Sequence, residues 1–246
     1  MPVDDLHDVL VEQMRDVHKV FPSLILEKGE GGQFTIHGTL GFRMEKDGKE
    51  VEDSYQLTVT IPPDYPRTVP TVKETGERIP EAFHTYPGDH TLCLGAPLAV
   101  AMTFAQHRTL LGYLRDQVVP HLFSHSYKQR YGAMPHGELA HGGEGIFQYY
   151  SQLFGVDQAM MVLGFLRILA EDDYKGHKPC PCNSGQKLRE CHGPQLLAIK
   201  PCLSKDGFMA DYLSILKHVK GDHSILDYRG VLPRVITDRL RKRRKK

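Results

Sequence analysis

A cluster of three cysteines and one histidine restricts the fold of this chain more than any other feature. It reads Cys-Pro-Cys, then eight residues, then Cys-His, and its candidate ligands are Cys180, Cys182, Cys191 and His192. Three thiolates and one imidazole complete a tetrahedral zinc shell, which leaves no open position for catalysis. Because so short a segment buries little apolar surface, bound metal must supply its folding energy. We therefore predict a structural Zn²⁺ site, against the alternative of an unmetallated loop.

The same stretch closely resembles the SEC-C motif, which is appended to many bacterial proteins. The resemblance rests on the four ligands and on Pro181, Ser184, Gly185 and Gly193. It implies a docking module whose partner is not specified. Cys202, ten residues after His192, is expected to lie outside the site.

Upstream of this cluster, the spacing of apolar residues predicts an α+β domain. Between residues 6 and 21 they recur every three or four positions, which is typical of an amphipathic helix. Two β-like runs follow at residues 34–44 and 51–61, joined by the turn Lys46-Asp47-Gly48. A helix followed by such a meander favours an antiparallel sheet over a parallel βαβ array.

Helical periodicity returns further along the chain. Residues 104–122 share an apolar face, and Thr103 can cap the start of that helix. We predict further helices at residues 146–154, 157–169 and 206–219, with a loop rich in Gly and His at 131–145.

Prolines interrupt the pattern after the second β-like run. The stretch Pro62-Pro63-Asp64-Tyr65-Pro66, with Pro70 and Val72, forms a rigid turn, because proline fixes φ and donates no amide. His84 follows, and then a loop from Gly88 to Cys93-Leu94 that leads into a helix. This order of elements, from about residue 3 to 123, resembles the ubiquitin-conjugating enzyme family.

The resemblance implies a domain organisation and a function. A ubiquitin-conjugating-enzyme-like domain would span residues 1–155, followed by a connecting helix at 156–175, the zinc module at 176–194 and a C-terminal extension at 195–246. Cys93 would carry a ubiquitin-like protein as a thioester, received from an activating enzyme, and pass it to an amine or another nucleophile of a protein target. Bacterial pathways of this kind include several implicated in phage defence.

One departure from the family pattern concerns the catalytic loop. The usual His-Pro-Asn reads His84-Thr85-Tyr86 here, and no Asn lies between His84 and Cys93. His84, Tyr86 and His90 can each donate a hydrogen bond in place of that amide. We favour His90, three residues before Cys93, because an imidazole can stabilise an oxyanion or lower the pKa of a thiol. His84 is assigned to pinning the loop.

Two other functions remain open from the sequence. A catalytically inactive adapter, which binds partners through its fold and zinc module, is favoured by the missing Asn and disfavoured by the Cys-Leu pair. A nucleic-acid-associated zinc protein would use the basic tail at residues 239–246, in which seven of eight residues are Lys or Arg. No aromatic residues interleave with that tail for base stacking, so we expect no nucleic-acid partner.

Composition and charge place the chain among cytoplasmic globular proteins. Hydrophobic residues make up 40% and the net charge is +1, so no global field draws the protein to anionic surfaces. We see no secretory signal and no run of about 18 apolar residues, and expect no membrane partner. Thiols stay reduced in the cytoplasm, which favours metal ligands and a nucleophile over disulfides for the five cysteines.

Overall fold

A computed structural model describes residues 3–81, 83–86, 88, 90–135, 140 and 142–219. The chain divides into two compact units, the first formed by Met1–Gly95 with Ala99–Glu138 and the second by Ala96–Leu98 with Leu139–Lys246. The basic tail at residues 239–246 lies outside the described part.

The first unit begins with a helix and a four-stranded antiparallel sheet. The helix is α1 (Val3–Val20), and the strands are β1 (Leu24–Lys28), β2 (Phe34–Lys46), β3 (Lys49–Ile61) and β4 (Thr71–Glu74). Neighbouring strands pair in the order β1-β2-β3-β4. The predicted α+β class is therefore confirmed. Strands β1 and β4 were not predicted, because they are short and lie beside turn-forming residues.

Alternation along β3 builds the core of this unit. Tyr55, Leu57, Val59 and Ile61 are each about 1% exposed, whereas the residues between them face outward or are half-buried. Apolar residues of α1 such as Leu10 cover the same core. Burying one such side chain contributes about 1.5–3 kcal/mol, so the alternation fixes which face of the sheet turns inward.

The helical part of the first unit is more broken than the sequence predicts. It contains α2 (Pro97–Gln106), α3 (Leu110–Tyr113), a π-helical turn (Leu114–Val118) and α4 (Val119–Tyr131). The prediction of one helix over residues 104–122 capped by Thr103 is wrong. The chain turns after α2, and Thr109 caps α3 by accepting a hydrogen bond from the Gly112 amide at 3.0 Å.

A partly buried polar network ties α4 to β3. Arg78 donates to both carboxylate oxygens of Asp53 at 2.8 and 2.9 Å, and Ser126 donates to Asp53 at 2.7 Å. The Tyr55 hydroxyl lies 2.6 Å from Ser126 Oγ and 2.7 Å from Nδ1 of His125. The Arg78 hydrogen bonds, followed by that from Ser126, hold the pKa of Asp53 well below its usual range.

Truncating Arg78 is expected to weaken this network. Arg78→Ala removes a bidentate partner from a carboxylate whose side chain is only 21% exposed, so the free energy of unfolding should fall by about 2 kcal/mol. Arg43, paired with Glu50 on the same sheet, is the control, since both side chains of this pair are exposed. Urea denaturation should show a clear loss for Arg78→Ala and little change for Arg43→Ala. Equal losses of unfolding free energy in the two variants would contradict the stabilising role assigned to Arg78.

The second unit is helical apart from the Cys-His segment. It contains α5 (Gly142–Phe154), α6 (Ala159–Glu171), α7 (Gly193–Ile199) and α8 (Lys205–His218). Three of these follow the predicted periodicity to within a few residues, and α7 was not predicted. The predicted boundaries at residues 155, 175 and 194 fall inside this unit, because α5, α6 and α8 pack together.

An acid is buried between α5 and α8. Asp211 is 1% exposed and accepts a hydrogen bond from the Tyr150 hydroxyl at 2.8 Å. Burial raises the pKa of Asp211 to about 6, although the bond from Tyr150 opposes the shift. At neutral pH the second unit therefore holds a buried carboxylate.

Replacing Asp211 by Asn should stabilise the protein above about pH 6. In the unfolded chain Asp211 ionises near its ordinary pKa of 3.8, whereas in the fold it keeps its proton to about pH 6. The wild type therefore loses stability as pH rises through this window, by up to roughly 3 kcal/mol. Asn still accepts from Tyr150 but does not titrate. Denaturation of both proteins should show a gap that opens between about pH 4 and 6 and then stays constant; a pH-independent gap would refute the burial argument.

No single helix in the described part of the chain is long and apolar enough to cross a membrane. Among the residues described, the helices α5 and α6 meet the length and composition criteria when taken together, although the chain bends by 85° between them.

Candidate metal centre and cysteine site

The four predicted zinc ligands converge in the second unit. Their ligand atoms all lie within 4.8 Å of one another. Nδ1 of His192 lies 3.3 Å from Sγ of Cys180 and 3.1 Å from Sγ of Cys191, and the thiols of Cys182 and Cys191 are 3.6 Å apart. Zinc–sulfur bonds of about 2.3 Å place ligands of a tetrahedral site roughly 3.5–3.8 Å apart. The cluster therefore fits one zinc ion.

The orientation of His192 supports metal binding. Its Nε2 lies 2.9 Å from the carbonyl oxygen of Phe154, so Nε2–H can donate to that oxygen. This contact assigns the proton to Nε2 and leaves the Nδ1 lone pair directed at the three thiols. Metal-bound histidines commonly have such a second partner, which fixes their tautomer and ring orientation.

A tight turn brings the thiols together. Asn183 and Gly185 have positive φ angles of 59° and 78°, which reverse the chain after Cys182. Burial raises the pKa of the Cys180 thiol to about 12. Burial also raises that of Cys182, but side-chain and backbone hydrogen bonds with Ser184 outweigh it and lower the pKa to about 6. A bound metal ion would favour the deprotonated form of both thiols.

Two glycines allow the segment to pack closely. A Cβ on Gly193 would lie 2.5 Å from both the Leu188 carbonyl oxygen and the Tyr174 hydroxyl. A Cβ on Gly164, in α6, would lie 2.9 Å from the Pro181 side chain. The rings of Phe165 and His192 also meet with centroids 4.8 Å apart. The Cys-His segment is therefore packed against α6 as part of the second unit.

Cys93 lies in the first unit, on a short extended segment between two others. The Leu92 amide donates to the Val72 carbonyl at 2.8 Å, and the Cys93 amide donates to the His84 carbonyl at 2.7 Å. On the same side, the Tyr86 amide donates to the Thr91 carbonyl at 2.8 Å. The main chain of Cys93 is thus fixed against β4 on one side and residues 84–86 on the other.

The thiol of Cys93 is half-buried, and its described contact is a weak one to the Gly95 carbonyl oxygen at 3.9 Å. It is neither disulfide-bonded nor part of the metal cluster. The main chain at Cys93 is therefore held in place, the residue is in part accessible, and its thiol has no covalent partner.

The predicted partners of Cys93 take different positions. His84 and His90 both have left-handed backbones, with φ of 44° and 55°, which is unusual for residues other than glycine. His84 is half-buried and contacts Cys93 through its carbonyl oxygen, whereas His90 is exposed. In the part of the chain that the structure describes, no hydrogen bond joins the His90 side chain to Cys93. Tyr86 is 47% exposed.

The proline turn before this site is anchored by a residue that the sequence did not single out. The Tyr65 hydroxyl donates to Gln13 Oε1 at 2.6 Å, and the Leu110 amide donates to the same atom at 2.8 Å. Gln13 thereby links α1, the proline turn and α3. The sequence feature that pointed to this role is that Gln13 is a polar residue within the helical pattern of residues 6–21.

Comparison with known proteins adds information on the metal centre only. No curated protein and no solved structure matches the chain. Residues 178–194, which contain all four converging ligands, match the SEC-C motif, and this motif together with the Cys-His cluster fits a zinc-binding module.

Proposed function

We propose that this protein is a conjugating enzyme that carries a ubiquitin-like protein as a thioester on Cys93. The observation that carries the proposal is the position of the thiol. It is half-buried, free of covalent partners and held by main-chain hydrogen bonds at the end of a meander, after a proline turn. Thiolate is a good nucleophile and a good leaving group, which suits reversible acyl transfer.

The proposed reaction has two steps. The Cys93 sulfur attacks the activated C-terminal carbonyl of the ubiquitin-like protein, and the activating enzyme's group leaves with its electron pair. An amine of a protein target, or another nucleophile, then attacks the thioester carbonyl and loses a proton, while the carbon–sulfur bond breaks and returns the thiolate. The proposed partners are an activating enzyme, the ubiquitin-like carrier and a protein target. The proposed setting is the bacterial cytoplasm, and phage defence is one pathway that the reaction would serve.

In this scheme the two histidines have separate proposed roles. His84 holds the main chain of Cys93 through its carbonyl oxygen. His90, exposed on the same loop, is the proposed donor to the oxyanion in place of the missing Asn.

The SEC-C module supports docking in this proposal. Its metal site is closed by four protein ligands, so it provides a fixed surface and no chemistry. It would recruit a partner or target to the enzyme that carries it.

The test is a loading reaction with the wild-type protein. Purified protein is incubated with ATP, a candidate activating enzyme and the ubiquitin-like protein which that enzyme activates, and analysed by intact-mass spectrometry and a non-reducing gel. We expect an adduct of the carrier's mass that disappears with thiol. If no adduct forms although the activating enzyme itself becomes charged, the protein is an adapter without this activity.

A further inference from the structure

Four polar side chains follow one another at four-residue spacing through α3, the π-helical turn and α4. They are Tyr113, Gln117, His121 and His125. Positions four apart share one face of a helix, and on this face Tyr113, Gln117 and His125 are buried and His121 is half-buried. Within the described part of the chain, the Tyr113 hydroxyl, both amide atoms of Gln117 and Nε2 of His121 are buried without a hydrogen-bond partner.

Such unpartnered atoms are costly. Each buried polar atom that makes no hydrogen bond destabilises the fold relative to an apolar side chain of similar shape. π-helical turns also occur frequently at functional sites. A buried polar side chain without a hydrogen-bond partner therefore points to a role other than packing. The residues that it contacts indicate what that role is.

His121 is the member of this stripe that meets the cysteine site. Its ring lies 6.3 Å from that of His84 and 5.9 Å from that of Phe83, measured between centroids. Phe83 in turn packs edge-on against His84 at 5.2 Å. His84 carries the carbonyl that fixes the Cys93 amide. A chain of three contacts therefore leads from His121 to the nucleophile.

His84 needs such support. Its φ of 44° lies in the left-handed region, where a side chain other than glycine persists only if its surroundings hold it. His121 is uncharged at neutral pH, because burial, followed by the charges of His84 and His125, lowers its pKa to about 3. It therefore acts on His84 through the size, shape and polarity of its uncharged ring.

We propose that His121 is a positioning residue for the reaction of Cys93, acting through His84. The inference deepens the proposed function and rests on it for its catalytic meaning. The effect on the thiol itself does not require a carrier.

The first experiment measures alkylation of Cys93 by iodoacetamide across pH in the full chain. Peptide mass spectrometry resolves Cys93 from Cys202, which lies in the other unit and serves as internal reference. His121→Phe should change the Cys93 rate at least about threefold, and His121→Gln, which keeps a polar group, should restore most of the wild-type profile. Gln117→Leu is the matched control, since it removes unpartnered atoms one turn away and should leave the Cys93 rate unchanged.

A wild-type Cys93 rate and pH profile in folded His121→Phe would overturn the inference. If that variant does not fold, the ¹⁵N resonance of the His121 ring in wild-type protein decides the matter: it should shift when Cys93 is alkylated, and an unmoved resonance would overturn the inference as well.

Single-turnover discharge of the preformed adduct then tests the catalytic part. Displacement of reacting groups by a fraction of an ångström costs about 10-fold or more in rate, so His121→Phe should load carrier but discharge it at least that much more slowly. If the wild type loads no carrier while His121→Phe still changes alkylation of Cys93, the proposed function fails and the link between His121 and Cys93 stands.

Discussion

Exchanging Cys180 and Cys182 together for serine is expected to abolish zinc binding and unfold the SEC-C segment. Wild-type protein should bind one zinc ion per chain, and the double variant should bind none. Zinc binding contributes about 10–16 kcal/mol in small zinc modules, of the same order as the whole stability of a domain. Because Leu188 is the main apolar anchor within the Cys-His segment, packing alone cannot replace that contribution.

The loss should spread within the second unit but not to the first. The metal cluster packs on α6 through Pro181 and on α5 through His192, so both contacts should weaken without zinc. Limited trypsinolysis reports this directly, since Lys187 and Arg189 are exposed and should be cut quickly only in the variant. Hydrogen exchange of β2 and β3 should remain slow.

Cys202→Ser is the matched control for this experiment. Its thiol lies outside the cluster, so metal content and protease resistance should equal those of the wild type. Zinc retained by the double variant would refute the ligand assignment. Rapid exchange in β2 and β3 would show that the units do not fold separately.

Replacing Cys93 by alanine is expected to eliminate the carrier adduct completely. The reaction has no substitute nucleophile at this position, because the other four cysteines lie in the second unit. Cys93→Ser should instead give a slower adduct that resists thiol, since an oxygen ester is not exchanged by thiols. Loading is measured as for the wild type, by intact mass with and without reductant.

The controls separate chemistry from folding. Cys93 is half-buried and its side chain contributes little to the core, so both variants should keep the thermal stability of the wild type. Cys202→Ala should load normally. A thiol-sensitive adduct on Cys93→Ala would place the nucleophile elsewhere and remove the basis of the proposed reaction.

The sequence by itself determined the features whose chemistry is local. Cys180, Cys182, Cys191 and His192 are ligands within one short segment, so their residue types and spacing were sufficient to predict a metal centre. Apolar periodicity likewise predicted α1, β2 and β3, because each has one buried face that repeats along many residues.

Elements decided by distant partners escaped that reasoning. β1 and β4 are short, and β4 forms because β3 and residues 91–92 supply its hydrogen bonds. The break after α2 is an exception, because it follows a local cap at Thr109. The continuous apolar face of residues 104–122 concealed this cap in the sequence. The reach of α5 and α6 to the metal segment depends on the contacts of Phe154 and Gly164, which no spacing in the chain encodes.

The surroundings of Cys93 show the same division. The lone cysteine after a proline turn was visible in the sequence, whereas its support was not. His84, His121 and Phe83 meet only when α4 packs beside the cysteine loop, and Gln13 joins three elements that are up to 97 residues apart. Side-chain type and spacing identify groups that act within one segment, but buried hydrogen bonds and ring contacts between segments exist only in the packed tertiary structure, because distant parts of the chain must first exclude water together.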